Sequence, residues 1–451
     1  MADHASTSPA PPGAGTPGWT GAQRGRLART LRCTVFPLGL LLVTPPIVML
    51  LWTLVTAFDG AIRPLVDPAR WPALISALPH PSLWAALSIT GFVAFEAALL
   101  RLLPGPQRYG PITPAGVRPV YRANGLSALA ATHAAYLAAS LGPGWFPPGE
   151  LHDRFGELLA TACVLAWALS AALYAKGRLG PSGPDHGTTG HVVLDIFWGT
   201  ELHPSLGRID LKQLFNCRVG MMSWSLLLVS FTAAQHEQTH GVSSSMAVAT
   251  GLQLAYIVKF FHWETGYFAS LDVMHDRFGY YLCWGVTVWL PGVYTLSTLY
   301  LVAHPRSLPW WETTLLLTTG LTALAVNYSA DEQRQRVRRT GGDTRIWGRP
   351  AKTLRACYST SDGREHSTVL LCSGWWGLSR HFHYLPELVI ALCWVAPVGG
   401  ARVLPYFYPV FLAVLLADRT GRDERRCLQK YGDAYREYCR RVRWKVIPYL
   451  Y

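Results

Sequence analysis

Charge is scarce in this chain. Asp, Glu, Lys and Arg make up 15% of its 451 residues, against about a quarter in an average soluble protein. Mean hydropathy is +0.18, which excludes an ordinary water-soluble surface. Cysteine is present nine times, but no two are spaced CxxC or CxxxC, so zinc and dithiol motifs are excluded. Cys163, Cys283 and Cys393 fall within apolar runs. The cysteines are expected as buried thiols, with Cys427 and Cys439 as exceptions near a binding site. His203, His236 and His262 form no HExxH or other metal spacing, and no metal is expected. There is no Rossmann fingerprint either. The glycines at 341–342 lack the strand-turn-helix context, so a dinucleotide here would have to be held between helices. Residues 1–25 are rich in Pro, Gly, Ala, Ser and Thr and have no apolar core behind a short basic start. They do not read as a signal peptide, and 1–33 is expected to be disordered.

What the chain does have is long apolar runs. Segments near 36–57, 82–103, 124–142, 156–176, 220–236, 244–263, 279–303, 312–330, 386–400 and 402–418 are each predominantly apolar, and a spanning helix needs about 20 such residues. The expected fold is therefore an all-α polytopic membrane protein of about ten helices, one membrane domain over 34–451. The 18 Trp and 20 Tyr suit a protein with two lipid–water interfaces. The net charge of +13 sits mostly in loops between apolar runs, so a nucleic-acid partner is not expected. With ten spans, Arg24, Arg26, Arg29 and Arg32 share a side with the loops 104–123, 177–219, 264–278 and 331–385 and with the tail 419–451. The opposite loops near 58–81, 143–155, 237–243 and 304–311 hold two, one, none and one Lys or Arg. The positive-inside rule then puts both termini in the cytosol.

The last third concentrates basic and aromatic residues. Arg334, Arg336, Arg338 and Arg339 follow the eighth run; SGWWG stands at 373–377, RHFHY at 380–384 and DERRCLQKYG at 423–432, with Tyr438 beyond. Guanidinium groups match phosphate oxygens, and aromatic rings can stack on a base. One such Arg alone would equally suit an anionic lipid headgroup; the interleaved set favours a nucleotide pocket, mainly within 331–451, facing the cytosol. Alternation over 352–373 around Asp362 and Gly363 predicts a β-hairpin.

Several blocks resemble the sterol reductase family: LPG at 103–105, GPITPAGVRPVYRANG at 110–125, and DLK at 210–212 with Phe215, Arg218, Gly220 and Trp224. DVMHDRFGYY at 272–281, WLP at 289–291, YTL at 294–296 and LYLV at 299–302 are similar to its 7-dehydrocholesterol reductase branch. The pair His275 and Asp276 is closer to that branch than to the Δ14 reductases, which look more like Thr-Asp-Gly there. GWWG, Arg380 with His381, and the tail 422–438 complete the resemblance from about residue 100 onward.

The resemblance implies an NADPH-dependent reduction of a sterol ring double bond, with the Δ7 bond of a Δ5,7-sterol preferred. It implies NADPH contacts at Arg334, Arg338, Leu371, Trp376, His383, Tyr384, Asp423, Cys427, Leu428, Gln429, Lys430, Tyr431 and Tyr438. It also implies catalytic roles near the reacting carbons for Tyr267 and Asp423. An alkene is a poor hydride acceptor until it is protonated. Tyr267 is the better donor, because nearby arginines keep a carboxyl at Asp423 ionised. The implied membrane is the endoplasmic reticulum in a eukaryote or the inner membrane in a bacterium. The implied partners are a sterol, the lipid bilayer and other sterol-pathway membrane enzymes.

This chain departs from the family where Asn is usual and His383 stands, and where Gly-Asp is usual and Pro386 and Glu387 stand. Arg334 replaces a usual Lys. Val286 and Ser297 stand where Asp and Gln are common, at positions expected to face the sterol. At its helix start, Asp276 could act as a cap. Two further readings stay open: an S-adenosylmethionine-dependent membrane methyltransferase of the isoprenylcysteine carboxyl type, which the 380–387 and 423–438 patterns resemble, and a sterol binder without activity.

Overall fold

The structure, a computed structural model, describes residues 29–451; most of the 1–33 segment expected to be disordered, with Arg24 and Arg26, lies outside the described residues. Each of the ten apolar runs is a helix. They are α1 (Phe36–Ala57), α2 (Leu83–Leu102), α3 (Gly125–Leu141), α4 (Phe155–Leu179), α5 (Met221–Thr239), α6 (Ser244–His262), α7 (Tyr280–Ala303), α8 (Trp310–Arg339), α9 (Tyr384–Val395) and α10 (Phe407–Tyr431). A further helix, α11 (Asp433–Arg441), closes the chain.

Among the described residues, six helices are long and apolar enough to cross a membrane: α1, α2, α4, α5, α6 and α7, with α1 and α5 taken together with the helical turns Leu31–Val35 and Gln213–Gly220 that lead into them. α3 is shorter, at 17 residues. The run expected at 312–330 continues as helix to Arg339, and the run expected at 402–418 continues to Tyr431. Two stretches expected as loop and tail are therefore helical. Arg, Glu, Gln and Lys are good helix formers, and nothing stops either helix before Thr340 with its two glycines or Gly432, whose φ is +52°.

One π-helical stretch, Gln213–Gly220, leads into α5, and another, Gly285–Tyr294, lies within α7. In α7 the cause is Pro291, which cannot donate to the ladder. The two stretches touch. A Cβ on Gly220 would lie 2.9 Å from the carbonyl of Val286, so only glycine permits this crossing. A central apolar core fills the space between α1, α4, α5, α6, α7, α9 and α10. At its middle, Trp224 lies fully buried against Tyr294, Tyr256 and Trp394.

The all-α expectation needs amending by four two-stranded antiparallel sheets among the described residues. The long one, Thr353–Ser359 with Glu365–Leu371, is the predicted hairpin. Its turn has Gly363 at φ +78°, and Asp362 accepts from the Thr360 hydroxyl. The tip docks on the 110–118 loop, where the Ser361 amide donates to the Pro114 carbonyl at 2.9 Å. Strand alternation turns Cys357 outward and leaves it exposed, which corrects the expectation that all but the two C-terminal cysteines are buried. Cys427 is itself buried and Cys439 half-buried.

Candidate active site

The helical extensions of α8 and α10 carry the basic residues. On α10, Asp423, Arg426, Cys427 and Lys430 recur at helical spacing and share one face. On α8, Arg334 and Arg338 do the same one turn apart. Arg334 stacks over the Trp376 ring at 4.3 Å, and Lys430 lies 3.8 Å from the centre of the Tyr358 ring on the hairpin and 5.6 Å from that of Tyr431. Arg426 Nη2 meets Asp423 Oδ1 at 2.9 Å.

Arg334, Arg338, Arg426 and Lys430 thus outnumber the carboxylates beside them, Asp423 and Asp331, the latter paired with Arg334 at 3.5 Å, and their electrostatics record the imbalance. Desolvation, then Arg426 and Arg338, push the Lys430 ammonium down to about 8. Desolvation and the like charge of Arg334 also lower Arg338. Arg338 and Lys430 nonetheless keep much accessible surface, so the cleft they line is open to solvent. Burial raises Asp423, but Arg426, His381, Arg334 and Arg338 outweigh it and hold the carboxyl below the usual aspartate range.

The floor of the cleft is aromatic. Trp376 and His383 rings are 5.0 Å apart, His383 and Tyr384 4.2 Å, and His381 stacks on Tyr384 at 5.4 Å. Trp376 donates to the Ala330 carbonyl at 2.7 Å. Burial and then Arg334 hold His383 well below its ordinary value, so its ring is neutral. Leu371 packs with Trp376 and Val337 in a small buried cluster. Cys427 and Tyr438 pack with Tyr435 and Val442 in another. Leu428 and Gln429 are exposed, on the side of α10 turned away from Asp423 and Lys430.

Four buried nitrogens of this region have no hydrogen-bond partner in the protein: Arg426 Nε, Arg419 Nε, His381 Nε2 and His383 Nδ1. An unmade buried hydrogen bond is costly. An anionic, ring-bearing ligand with several acceptors fits these residues, because it supplies both the missing charge and the missing acceptors.

Tyr267 stands apart from the basic cluster, in the short helix Glu264–Tyr267 between α6 and α7. Its hydroxyl accepts from Asn216 Nδ2 at 3.3 Å. Burial, reinforced by Asp272, raises its pKa well above the ordinary tyrosine value. A link between the two regions was not apparent in the sequence. Arg419, one turn before Asp423 on α10, pairs with Asp272 at 2.9 Å, and Arg422 pairs with Asp276 at 3.1 Å. Asp276 is not a helix cap. Its carboxylate accepts from His275 Nδ1 at 2.9 Å, and α7 starts only at Tyr280. Lys212 ties the same loop down by donating to the carbonyls of Asp272 and Val273 at 3.1 and 3.0 Å and to that of Asp276.

The departures have definite surroundings. Glu387 accepts from Tyr256 at 2.7 Å and Asn327 at 3.0 Å, so a carboxylate is retained and satisfied. Val286 packs in an apolar cluster with Phe215 and Val219. Ser297 is buried, and its hydroxyl has no partner.

A bundle of apolar helices, six of them long enough to cross a membrane among the described residues, with a basic, aromatic cleft at the charged ends of α8 and α10, is the architecture of a helical membrane protein. The chain belongs to the ergosterol biosynthesis ERG4/ERG24 family of sterol reductases, whose model matches residues 61–451; members of this family are oxidoreductases. It is 43% identical over 422 residues to the 7-dehydrocholesterol reductase of Arabidopsis thaliana, covering 92% of this chain and 96% of that one. It is 34% identical over 414 residues to the Delta(14)-sterol reductase of Methylotuvimicrobium alcaliphilum, covering 92% and 94%. The 7-dehydrocholesterol reductase of Xenopus laevis is 35% identical over 382 residues, covering 82% and 81%.

Proposed function

We propose that the chain reduces the Δ7 double bond of 7-dehydrocholesterol or a similar Δ5,7-sterol, using NADPH. The observation that carries the cofactor half is the cationic excess of the cleft: Arg334, Arg338, Arg426 and Lys430 against Asp423 and Asp331, with unpartnered ring and guanidinium nitrogens beside stacked rings. When bound, NADPH supplies the hydride. Arg338, Arg426 and Lys430 bind its phosphates, and Trp376, His383, Tyr384 and Tyr431 give flat surfaces for its rings. Tyr267 holds a proton on its hydroxyl for delivery to the alkene. Asp423, kept ionised by its arginines, orients and does not donate. Arg419 and Arg422 fix the Tyr267–Tyr281 segment against α10 through Asp272 and Asp276. The loop charges support cytosolic termini, and an endoplasmic reticulum or bacterial inner membrane suits a sterol pathway shared with other membrane enzymes.

The bond preference rests on the 43% identity to a 7-dehydrocholesterol reductase and on the His275–Asp276 pair. A second reading, Δ14 reduction, is favoured by the 34% identity over 414 residues to a Delta(14)-sterol reductase. Expression in a sterol-making host with mass spectrometry of the sterols decides between them: loss of the Δ7 bond is expected, and loss of the Δ14 bond with Δ7 intact overturns the preference. Thermal stabilisation of the purified protein by NADPH, and none by S-adenosylmethionine, is expected. The reverse would favour a methyltransferase.

A further inference from the structure

Outside the cleft, α8 and α9 leave an open groove of about 430 Å³ between them, and none of the residues assigned to the cleft lines it. Val326, Leu385 and Val389 are among its walls, and the polar side chains on it are three threonines of α8. Thr318 turns its hydroxyl back to the Thr314 carbonyl at 2.7 Å. Thr319 and Thr322 have no partner, but the same turn is open to a threonine on any helix, so the three demand no polar ligand. From Thr318 to Val326 the groove follows α8 for about 12 Å at the helical rise. Volume over length then gives a cross-section on the order of 35 Å². An extended hydrocarbon chain fits that width, whereas a second helix, about 10 Å across, would rest on the rim.

The groove leads toward a cationic tip. Thr318, Thr322, Val326, Ser329 and Gln333 recur three or four residues apart and share one face of α8. Ser329 Oγ accepts from the Trp375 ring N–H at 3.1 Å and Gln333 Oε1 from the Trp375 amide at 3.1 Å, so Trp375 covers that face where the groove ends. Trp375 stacks on Phe382 of the groove at 4.7 Å and meets Trp347 edge-on at 5.0 Å. Trp347 stands in the turn of the short hairpin that pairs Arg345–Ile346 with Arg349–Pro350. Ile346 anchors this hairpin among Val337, Leu371 and Trp376. The turn puts Trp347 at φ +49° and Gly348 at φ +78°. A bulky aromatic rarely adopts such a φ; Asn or Gly is usual there. Trp347 is nonetheless 59% exposed, so its contact with Trp375 covers less than half of it. A tryptophan so placed suits a lipid–water interface. Arg345, Arg349 and Lys352 are exposed beside it, and none has an ion-pair partner among the described residues. Asp343 is the single carboxylate between 341 and 352.

We propose that the α8–α9 groove and the 345–352 tip form one site for an acidic phospholipid. An acyl chain lies in the groove, the phosphate meets Arg345 and Arg349, and Trp347 sits at the boundary between the two. Charge selects the occupant. Three unpaired cations against one carboxylate attract an anionic headgroup. A zwitterionic headgroup brings its own cation to the arginines and gains less. The site depends neither on the cofactor nor on which bond is reduced.

The test is photolabelling of the full chain in phosphatidylcholine nanodiscs with phosphatidylglycerol that carries a diazirine on one acyl chain. Labelled peptides are mapped by mass spectrometry, so turnover is not the readout. Saturable labelling within 318–326 and 382–389 is expected, displaced by unlabelled phosphatidylglycerol and not by added phosphatidylcholine. Arg345→Glu with Arg349→Glu should cut that labelling by about tenfold or more. Arg345→Gln with Arg349→Gln carries the same test, should the charge-reversed chain fail to give a monodisperse protein. Thr322→Trp, which fills the groove from an exposed position, should remove the labelling of 382–389. Non-saturable labelling, equal displacement by phosphatidylcholine, or unchanged labelling in the arginine variants would overturn the proposal. Nanodiscs that hold two copies with the groove unlabelled would assign it to a second copy of the chain and overturn it as well.

Discussion

Arg422 Nη1 stands 3.1 Å from Asp276 Oδ2, and this pair joins the charged end of α10 to the segment that leads into α7. Asp276 is fully buried. Burial raises its pKa, but His275 and Arg422 outweigh burial and bring it to about 2. The carboxylate is therefore ionised and depends on its partners. Arg422→Ala is expected to cost about 3–5 kcal/mol, because it strands a buried charge; Asp276→Asn combined with Arg422→Ala should recover part of that loss. Thermal unfolding of the three variants checks this, and a single-variant change near zero would contradict it. Because the folded pKa is depressed, the stability from this pair is present above about pH 4 and is lost as pH falls toward 2.

Tyr267→Phe tests the proton source. General acid catalysis contributes about 10²- to 10⁴-fold, so turnover should fall by that order while NADPH affinity stays the same. The high pKa of Tyr267 keeps its proton in place throughout the neutral range, so Tyr267 itself should add no inflection to the rate profile below pH 9. Asp423→Asn should instead weaken nucleotide binding and leave that profile unchanged. Full turnover in Tyr267→Phe, measured in reconstituted protein at saturating sterol, would remove the assignment.

Much of this was legible from local pattern. Apolar runs located α1 to α10, because a long apolar helix is written in length and hydropathy alone. Asp362 with Gly363 located the hairpin, because a turn is set by a few neighbouring residues. Helix ends on the charged side were not legible. The apolar runs end where charge begins, and α8 and α10 continue as helices past that point. It is this continuation that aligns Arg334 with Arg338, and Asp423 with Arg426 and Lys430. The ties from Arg419 to Asp272 and from Arg422 to Asp276 join residues about 146 positions apart, and no periodicity reports such a contact. Arg426 stands inside the DERRCLQKYG block, yet its unpartnered Nε became visible only once its neighbours were in place.

Ser297 offers a stability test without a functional assumption. Its hydroxyl is buried and has no hydrogen-bond partner, and a buried unsatisfied group costs about 1–3 kcal/mol. Ser297→Ala should therefore be neutral or stabilising in thermal unfolding. A loss of more than about 1 kcal/mol would mean that the hydroxyl has a partner of its own, such as a ligand or an ordered water.

Lys430 gives the sharpest pH prediction. In the ligand-free protein its pKa is about 8, displaced downward by desolvation and by Arg426 and Arg338. An anion in the cleft opposes that repulsion and raises the value again. Binding therefore takes up a proton whenever the pH lies between the two values. NADPH affinity should be flat below about pH 8 and fall above it, approaching tenfold per pH unit until the ligand-bound pKa is reached. Lys430→Arg, charged throughout this range, should abolish the inflection and keep most of the affinity at pH 7. Lys430→Met should lower affinity at pH 7 by about 10- to 150-fold, the loss of one charge-assisted contact. Titration calorimetry of NADPH from pH 6.5 to 9.5 checks all three, and an unaltered chain with no inflection in this range would place the phosphates away from Lys430.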